Sequence, residues 1–333
     1  MWRCRNKRSR RSEVRNRISD IGLPHSDFIL LSMSEIEIIN AREGADLNDE
    51  NTIKCLDQGF VRLVDVMGND ASVVQAARVS YGKGTKSVRQ DKGLISYLMK
   101  HQHNSPFEMV EFKFHCKMPI FVARQWIRHR TASVNEISGR YSVMEDTAWK
   151  PGPSDLRQQA KVNRQGSVEV PVPEPANSEI VRQYNDDIEN IFSHYHAYIE
   201  KGVAREVARA NLPLSTYTEW YWKIDMHNLL HFLELRLDAH AQKEIRVYAE
   251  AIATFVKRLC PFTWEAFEEY RLGSARFSRS ELNILREVVK NKNLLDDLKK
   301  MRSEQLKSAG ASEQLAEVEI VELISKLTGK TVE

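Results

Sequence analysis

The segment from Arg128 to Tyr141 has the residue composition of a ligand-binding site. Its fourteen residues include three arginines, one histidine, one glutamate, one asparagine and two serines. No apolar stripe of helical or strand period runs through it. Arginine offers planar donors that match phosphates and other anions, while Glu, Asn and Ser distinguish the polar edges of bases and sugars. The segment predicts an anion-binding loop, although a solvated charged loop has the same composition.

Further arginines lie downstream of this segment. Arg205 and Arg209 are four residues apart, which places them on one face of a predicted helix. Arg236 lies within a later predicted helix. If these helices pack near one another, a second basic cluster faces the first and forms a phosphate pocket. A salt-bridged surface helix is the alternative interpretation.

The same later helix presents several groups that can bind a metal. His227 and His231 are four residues apart and share a face, and Glu234, Asp238 and His240 follow. The segment lacks cysteine and lacks the HExxH pattern, so polar contacts to an organic ligand are favoured over a metal. A metal-dependent nucleotide hydrolase remains the alternative function.

A strand and a helix are predicted to position the first segment. Apolar and polar residues alternate from 108 to 118, as in a half-buried antiparallel strand. Pro119 ends this strand and suits the first turn of a helix that extends to about Arg130. The segment would then begin on the last helical turn and continue as a loop. The polar turn from His101 to Glu108 enters the same strand and joins the candidate site.

Periodicity and turn residues outline the remaining elements. They predict a strand at 60–66 and helices at about 70–80, 89–102, 177–200, 203–211, 225–238 and 240–259. Five prolines between residues 145 and 176 predict a long irregular excursion. Capping-box spacing from Ser278 to Glu281 predicts a helix that Gly310 ends, and an amphipathic piece with Leu315, Val318, Val321 and Ile324 follows. We predict three parts: a basic, disordered extension (1–51), a catalytic domain (52–272) and a charged helical extension (273–333).

Charge and composition exclude several classes of protein. Residues 1–20 contain eight basic and two acidic side chains, whereas the rest of the chain has 41 basic and 44 acidic ones. The main body is therefore not a nucleic-acid binder by bulk charge. No apolar run has membrane-spanning length, and the four cysteines are far apart with no CxxC pair. We expect a cytoplasmic protein with free thiols and no membrane partner.

The residues of the first segment carry a family resemblance. Arg128-His129-Arg130-x-x-Ser133-x-Asn135-Glu136-x-Ser138-x-Arg140-Tyr141 resembles, without a mismatch, the RHRxxSxNExSxRY signature of the flavin-dependent thymidylate synthases. Further segments resemble the family in its order: Ala76–Tyr81, His103–Glu108, Phe121–Trp126, Arg205–Arg209 and Leu235–Gln242. The resemblance covers about residues 52–272.

This resemblance implies a fold, an assembly and a reaction. The fold is α+β, with a central, mainly antiparallel sheet flanked by helices, and the assembly is a homotetramer with active sites between subunits. The reaction is the reductive methylation of dUMP to dTMP, with 5,10-methylenetetrahydrofolate as carbon donor and NADPH reducing bound FAD. No structural metal, no nucleic acid and no cysteine nucleophile are implied.

The resemblance also assigns residues to ligands. It implies that FAD is held by Ser105, Arg128, His129, Arg130, Glu136, Asp225, Met226, His227 and His231. It implies that dUMP is held by Gln125, Arg128, Glu136, Ile137, Ser138, Gly139, Arg140, Arg209 and Arg236. Arg236 would be the catalytic residue, because a guanidinium beside the uracil favours its ionised form. Ser138 is disfavoured as a nucleophile because the sequence shows no His-Asp pair at a spacing that would activate it. His103 is a candidate for the folate-flavin region.

Overall fold

A computed structural model of the chain describes residues 49–79, 88–161, 166–290, 292–308, 310 and 312–328. Most of the predicted N-terminal extension, and the end of the Ala76–Tyr81 segment, therefore lie outside the described residues. None of the described helices is both long enough and apolar enough to cross a membrane.

A five-stranded antiparallel sheet forms the centre of the fold, so the predicted α+β class is confirmed. Its spatial order is β1-β2-β3-β7-β4, and every neighbouring pair is antiparallel. The five strands are β1 (Thr52–Cys55), β2 (Gly59–Met67), β3 (Glu111–Pro119), β4 (Ser133–Glu136) and β7 (Tyr217–Asp225). The sheet places β4 at one edge, beside the long strand β7.

Strand β3 has the predicted alternation but begins later than predicted. Phe112, Phe114, Cys116 and Met118 are wholly buried on one face. Phe107–Met109 instead forms a 3₁₀ turn in which Glu108 is exposed. Because the backbone of this turn is not paired with β2, alternation at residue 108 does not indicate a strand.

Strand β7 was not predicted from the sequence, and it is the central element that the prediction lacked. Thr218, Trp220, Trp222 and Ile224 alternate on the buried face of this strand. The rings of Trp220 and Trp222 lie 5.5 and 5.1 Å from that of Trp126. Alternating aromatic and β-branched residues were a readable strand signal, and β7 pairs with both β3 and β4.

Eight helices pack around the sheet in the region of the predicted catalytic domain that the structure describes. They are α1 (Asp70–Arg78), α2 (Val88–Lys100), α3 (Ile120–Trp126), α4 (Ala176–Glu200), α5 (Arg205–Ala208), α6 (Met226–Arg236), α7 (Lys243–Leu259) and α8 (Pro261–Phe267). The predicted helices agree with these bounds except near α3, which ends four residues early, and near α5, which continues as a 3₁₀ turn, Arg209–Asn211. The main core lies between the sheet and helices α6 to α8.

The proline-containing excursion is more ordered than predicted. It contains the hairpin of β5 (Arg157–Gln159) and β6 (Ser167–Pro171). The buried side chain of Asn177, in the first turn of α4, donates to the carbonyl oxygens of Pro153 and Val172 at 2.9 Å. These two hydrogen bonds tie the ends of the hairpin to α4.

The described residues of the C-terminal extension form three helices. Ser278 caps α9 (Arg279–Val289) through the predicted capping box with Glu281. The single helix predicted up to Gly310 is wrong, because α9 ends at Val289 and α10 (Lys292–Ser308) follows. In the last helix, α11 (Glu313–Thr328), Ile324 is buried as predicted, whereas Val318 is half exposed.

Candidate active site

Part of the predicted site lines a cavity of about 330 Å³. It lies where α3 has ended, beside the end of β7 and one face of α6. Its lining residues are Arg128, His129, Arg130, Thr131, Ile224, Asn228, His231, Leu235 and Arg236. Three of them are arginines and none is acidic, so this cavity, hereafter the arginine cavity, is suited to a negatively charged ligand.

Arg236 and His129 are in direct contact although 107 residues separate them. The Nε–H of Arg236 donates to Nε2 of His129 at 3.1 Å, and its Nη2 lies 3.4 Å from the carbonyl oxygen of Gln125. Burial, together with Arg236 and His231, lowers the pKa of His129 to about 4. His129 is therefore a neutral acceptor near pH 7, and it leaves the positive charge of Arg236 uncompensated.

Arg128 and Arg130 were predicted to lie on the last turn of a helix, but they follow the end of α3. The helix ends at Trp126, and the backbone N–H of His129 donates to the carbonyl oxygen of Trp126 at 3.0 Å. Both arginine side chains are exposed and, within the described part of the chain, have no ion pair. Two guanidinium groups at the cavity thus keep all their donors for a ligand.

The middle of the predicted loop is the edge strand β4. Val134 and Glu136 pair with Trp222 and Trp220 of β7. The prediction of a continuous loop is therefore wrong. Periodicity could not reveal this strand, because all four of its side chains are exposed and do not alternate between buried and exposed. Oε1 of Glu136 accepts from the Thr218 hydroxyl at 2.6 Å, which fixes the carboxylate beside β7.

The end of the segment packs against α5 and the turn after it. A Cβ added to Gly139 would lie 3.0 Å from Cδ of Arg209, so glycine permits this close approach. Arg140 pairs with Glu206 at 3.0 Å, and Arg205 donates to the Tyr141 carbonyl oxygen at 2.7 Å. Arg209 has no ion-pair partner within the residues described. The structure therefore brings Gly139 close to Arg209, and Arg140 close to Glu206.

Ser105 and His103 lie at a different cavity, with a volume of about 1010 Å³. Its mostly apolar lining includes Met67, Ala76, Leu94, Tyr97, Pro106 and Met109. Of the residues predicted to hold FAD, Ser105 thus lines this large cavity, whereas Arg128, His129, Arg130 and His231 line the arginine cavity.

The predicted residues at the start of α6 have different environments. The Asp225 carboxylate caps the helix and accepts from the backbone and side chain of Asn228 at 3.0 and 2.7 Å. The Met226 side chain is wholly buried and presents no atom to a ligand, while His227 is partly exposed. Asn228, which the sequence analysis missed, lines the arginine cavity with His231. Their spacing of three residues on one helical face was a readable signal.

The structure gives no support to the metal-hydrolase alternative. Among the described residues, no group of three or more His, Cys, Asp and Glu side chains is arranged to hold a metal ion. His240 instead pairs with Asp238 at 2.8 Å on the surface. Burial also raises the pKa of Cys55 and of Cys260 to about 12, so neither thiol is a ready nucleophile.

Comparison with known proteins identifies relatives of one family. The family model described as thymidylate synthase complementing protein matches residues 62–262. The chain is 55% identical over 241 residues to a flavin-dependent thymidylate synthase of Wolbachia pipientis wMel, covering 72% of this chain and 84% of that one. It is 58% identical over 235 residues to a flavin-dependent thymidylate synthase of Thermus thermophilus, covering 71% and 85%.

A solved structure has the same fold. It is a UMP/dUMP methylase, PolB from Streptomyces cacaoi, bound with 5-Br dUMP, and it is 35% identical with a TM-score of 0.60. The similarity covers 66% of this chain and 99% of that one. The family-model match and these identities show that the chain belongs to the flavin-dependent thymidylate synthase family.

Proposed function

We propose that this protein forms dTMP from dUMP, with 5,10-methylenetetrahydrofolate as carbon donor and NADPH as reductant of a bound FAD. One observation carries the proposal: Arg236 is uncompensated by any carboxylate in the arginine cavity and donates to a neutral His129. A fixed cation in a partly buried pocket stabilises negative charge on a bound pyrimidine without proton transfer from the protein. The relatives named as flavin-dependent thymidylate synthases and the dUMP methylase fold support the same reaction.

The residues at the arginine cavity fit a flavin dinucleotide. Exposed Arg128 and Arg130 have no acidic partner within the described part of the protein, which suits the pyrophosphate of FAD. His129 adds a neutral polar edge, and the His231 ring lies 5.9 Å from the His129 ring. Reduced FAD would supply the hydride, whereas these side chains bind and orient it. Ser105, Glu136, Asp225 and His227 remain proposed FAD contacts, and Met226 could contribute only its backbone.

The nucleotide phosphate is assigned to the contact between Gly139, Arg140 and Arg209. Gly139 is buried, and a Cβ at this position would lie 3.0 Å from Cδ of Arg209. Arg209 is exposed and free of an acidic partner in the described residues, whereas Arg140 would exchange Glu206 for phosphate. Ile137, Ser138 and Gln125 complete the proposed dUMP contacts.

We further propose a homotetramer with active sites between subunits. All four residues of β4 are exposed, and Tyr141 is 77% exposed beside it. The proposed FAD residues of one protomer are also divided between two cavities, so a second protomer can complete each site.

Cys55, Cys116 and Cys260 are free and buried, which favours a reducing, cytoplasmic compartment.

Turnover and flavin content test this function. The purified protein should carry FAD absorbance and form dTMP only when dUMP, methylenetetrahydrofolate and NADPH are all present. Arg236→Ala should reduce turnover by about 10²-fold or more with FAD still bound, as expected for removal of a preorganised charge. Arg128→Ala should instead weaken FAD binding by about tenfold.

Arg182→Ala is the control, because Arg182 is an exposed arginine on α4. It should match the wild type in both measurements. A colourless protein that cannot be reconstituted with FAD, or near-normal dTMP formation by Arg236→Ala, would contradict the proposal.

A further inference from the structure

The C-terminal extension is joined to the catalytic domain by a chain of ion pairs. Nζ of Lys100, at the end of α2, donates to Glu319 of α11 at 2.6 Å and also pairs with Glu322. The other oxygen of Glu319 accepts from Arg302 of α10 at 3.2 Å. The second oxygen of Glu322 lies 3.8 Å from Nε2 of His101. Helices α10 and α11 lie outside the residues that the family model matches.

These ion pairs are shielded from solvent. The Lys100 side chain is 9% exposed and that of Glu319 is 15% exposed. Burial opposes ionisation of both groups, but their mutual hydrogen bonds raise the pKa of Lys100 and lower that of Glu319. Removal of the two negative charges would leave the shielded Lys100 ammonium without a counter-charge, which destabilises the end of α2.

The end of α2 leads directly into the turn that carries His103 and Ser105. Gln102 N–H donates to the Met99 carbonyl oxygen and His103 N–H to that of Leu98, which is the Schellman arrangement. Gln102 occupies the left-handed region with φ of 57°, where a side chain is strained. A turn of this kind keeps its shape only when its surroundings hold it.

Ring contacts extend this support toward the large cavity. The His101 ring lies 4.4 Å from that of Tyr97 and 6.3 Å from that of His103. Tyr97, His103 and Ser105 all line the large cavity. Glu322 is thus connected to the cavity wall through His101 and the two neighbouring rings.

We propose that Glu319 and Glu322 are positioning residues, through which the C-terminal extension holds the His101–Ser105 turn in the shape that binds the flavin. This inference rests on the proposed function, in which Ser105, at the large cavity, is one of the FAD contacts. The two glutamates act through Lys100 and His101 and do not touch the ligand. The extension is therefore part of the binding apparatus, although it lies beyond the family region.

The full-length double variant Glu319→Gln/Glu322→Gln tests this role against Glu313→Gln/Glu317→Gln. Both variants remove two charges from α11, but Glu313 and Glu317 are exposed. Two quantities are measured at about 25 °C: the FAD Kd of protein stripped of flavin, and the amide hydrogen exchange of residues 98–105. The thermal unfolding midpoint is measured in a separate temperature scan. We expect the first variant to raise the Kd about tenfold, equivalent to about 1.4 kcal/mol, and to speed exchange in 98–105. The control variant should do neither.

The outcomes separate this proposal from the proposed function. Equal FAD affinity and equal exchange in the two variants would overturn the positioning role, even if the first variant melts at a lower temperature. If the wild type binds no FAD, the proposed function fails, and the exchange of residues 98–105 still decides whether the extension holds the turn.

Discussion

His129 makes the stability of this protein depend on pH, because burial, together with Arg236 and His231, lowers its pKa. The folded protein keeps His129 neutral down to about pH 4, whereas the ordinary histidine pKa is 6.5. As the pH falls, the unfolded chain binds this proton first, so the folded state loses stability between about pH 6.5 and pH 4. Above this pH window the stability contributed by neutral His129 is fully present, and below the window no further stability is lost through this group.

The size of the effect follows from the two pKa values. At about 1.4 kcal/mol per pKa unit, a fall from 6.5 to about 4 corresponds to an upper limit of about 3 kcal/mol. The His129 side chain is partly exposed, so solvent screening reduces this to about 1–2 kcal/mol. His129→Gln removes the titration while its amide oxygen can still accept from Arg236.

Chemical unfolding at about pH 7 and about pH 4.5 measures the difference. We expect the free energy of unfolding to fall by about 1–2 kcal/mol more in the wild type than in His129→Gln. His194→Gln, which removes an exposed histidine of α4, is the control and should follow the wild type. Other groups that titrate in this range cancel in the comparison. If the wild type and His129→Gln lose the same free energy, the depressed pKa of His129 is refuted.

Three further substitutions test other parts of the structure. The buried Asp70 carboxylate accepts three hydrogen bonds at the start of α8. Asp70→Asn should therefore lower the free energy of unfolding in urea by about 2–3 kcal/mol. Asp65→Asn, which changes an exposed carboxylate, is the control and should lower it by less than about 0.5 kcal/mol. Gly139→Ala places a Cβ 3.0 Å from Arg209 and should raise the dUMP KM about fivefold, or about 1 kcal/mol; an unchanged KM would contradict the phosphate assignment. Gln102→Gly relieves the left-handed backbone and should stabilise the protein by about 1 kcal/mol, and a lower unfolding midpoint would show that the Gln102 side chain has another role.

Local patterns in the sequence were enough to predict many elements and the family. Strand β3 and helix α2 have clear periodicity because each buries one face, and that face is visible in consecutive residues. The segment from Arg128 to Tyr141 is contiguous, so its ligand-binding composition could be recognised without any fold. The capping box at Ser278 is equally local and was confirmed. In each case the physical cause lies within one turn or strand.

The arrangement of the site depended on contacts between distant residues. Strand β7 pairs with both β3 and β4, and β4 is exposed on every residue, so neither the sheet order nor β4 could be derived from periodicity. The hydrogen bond between Arg236 and His129 spans 107 residues, and the low pKa of His129 follows from that contact and from burial. The sequence by itself determined which residues could bind an anionic ligand. Only the tertiary structure decided which of them share a cavity, because desolvation and hydrogen bonding between remote side chains arise only on folding.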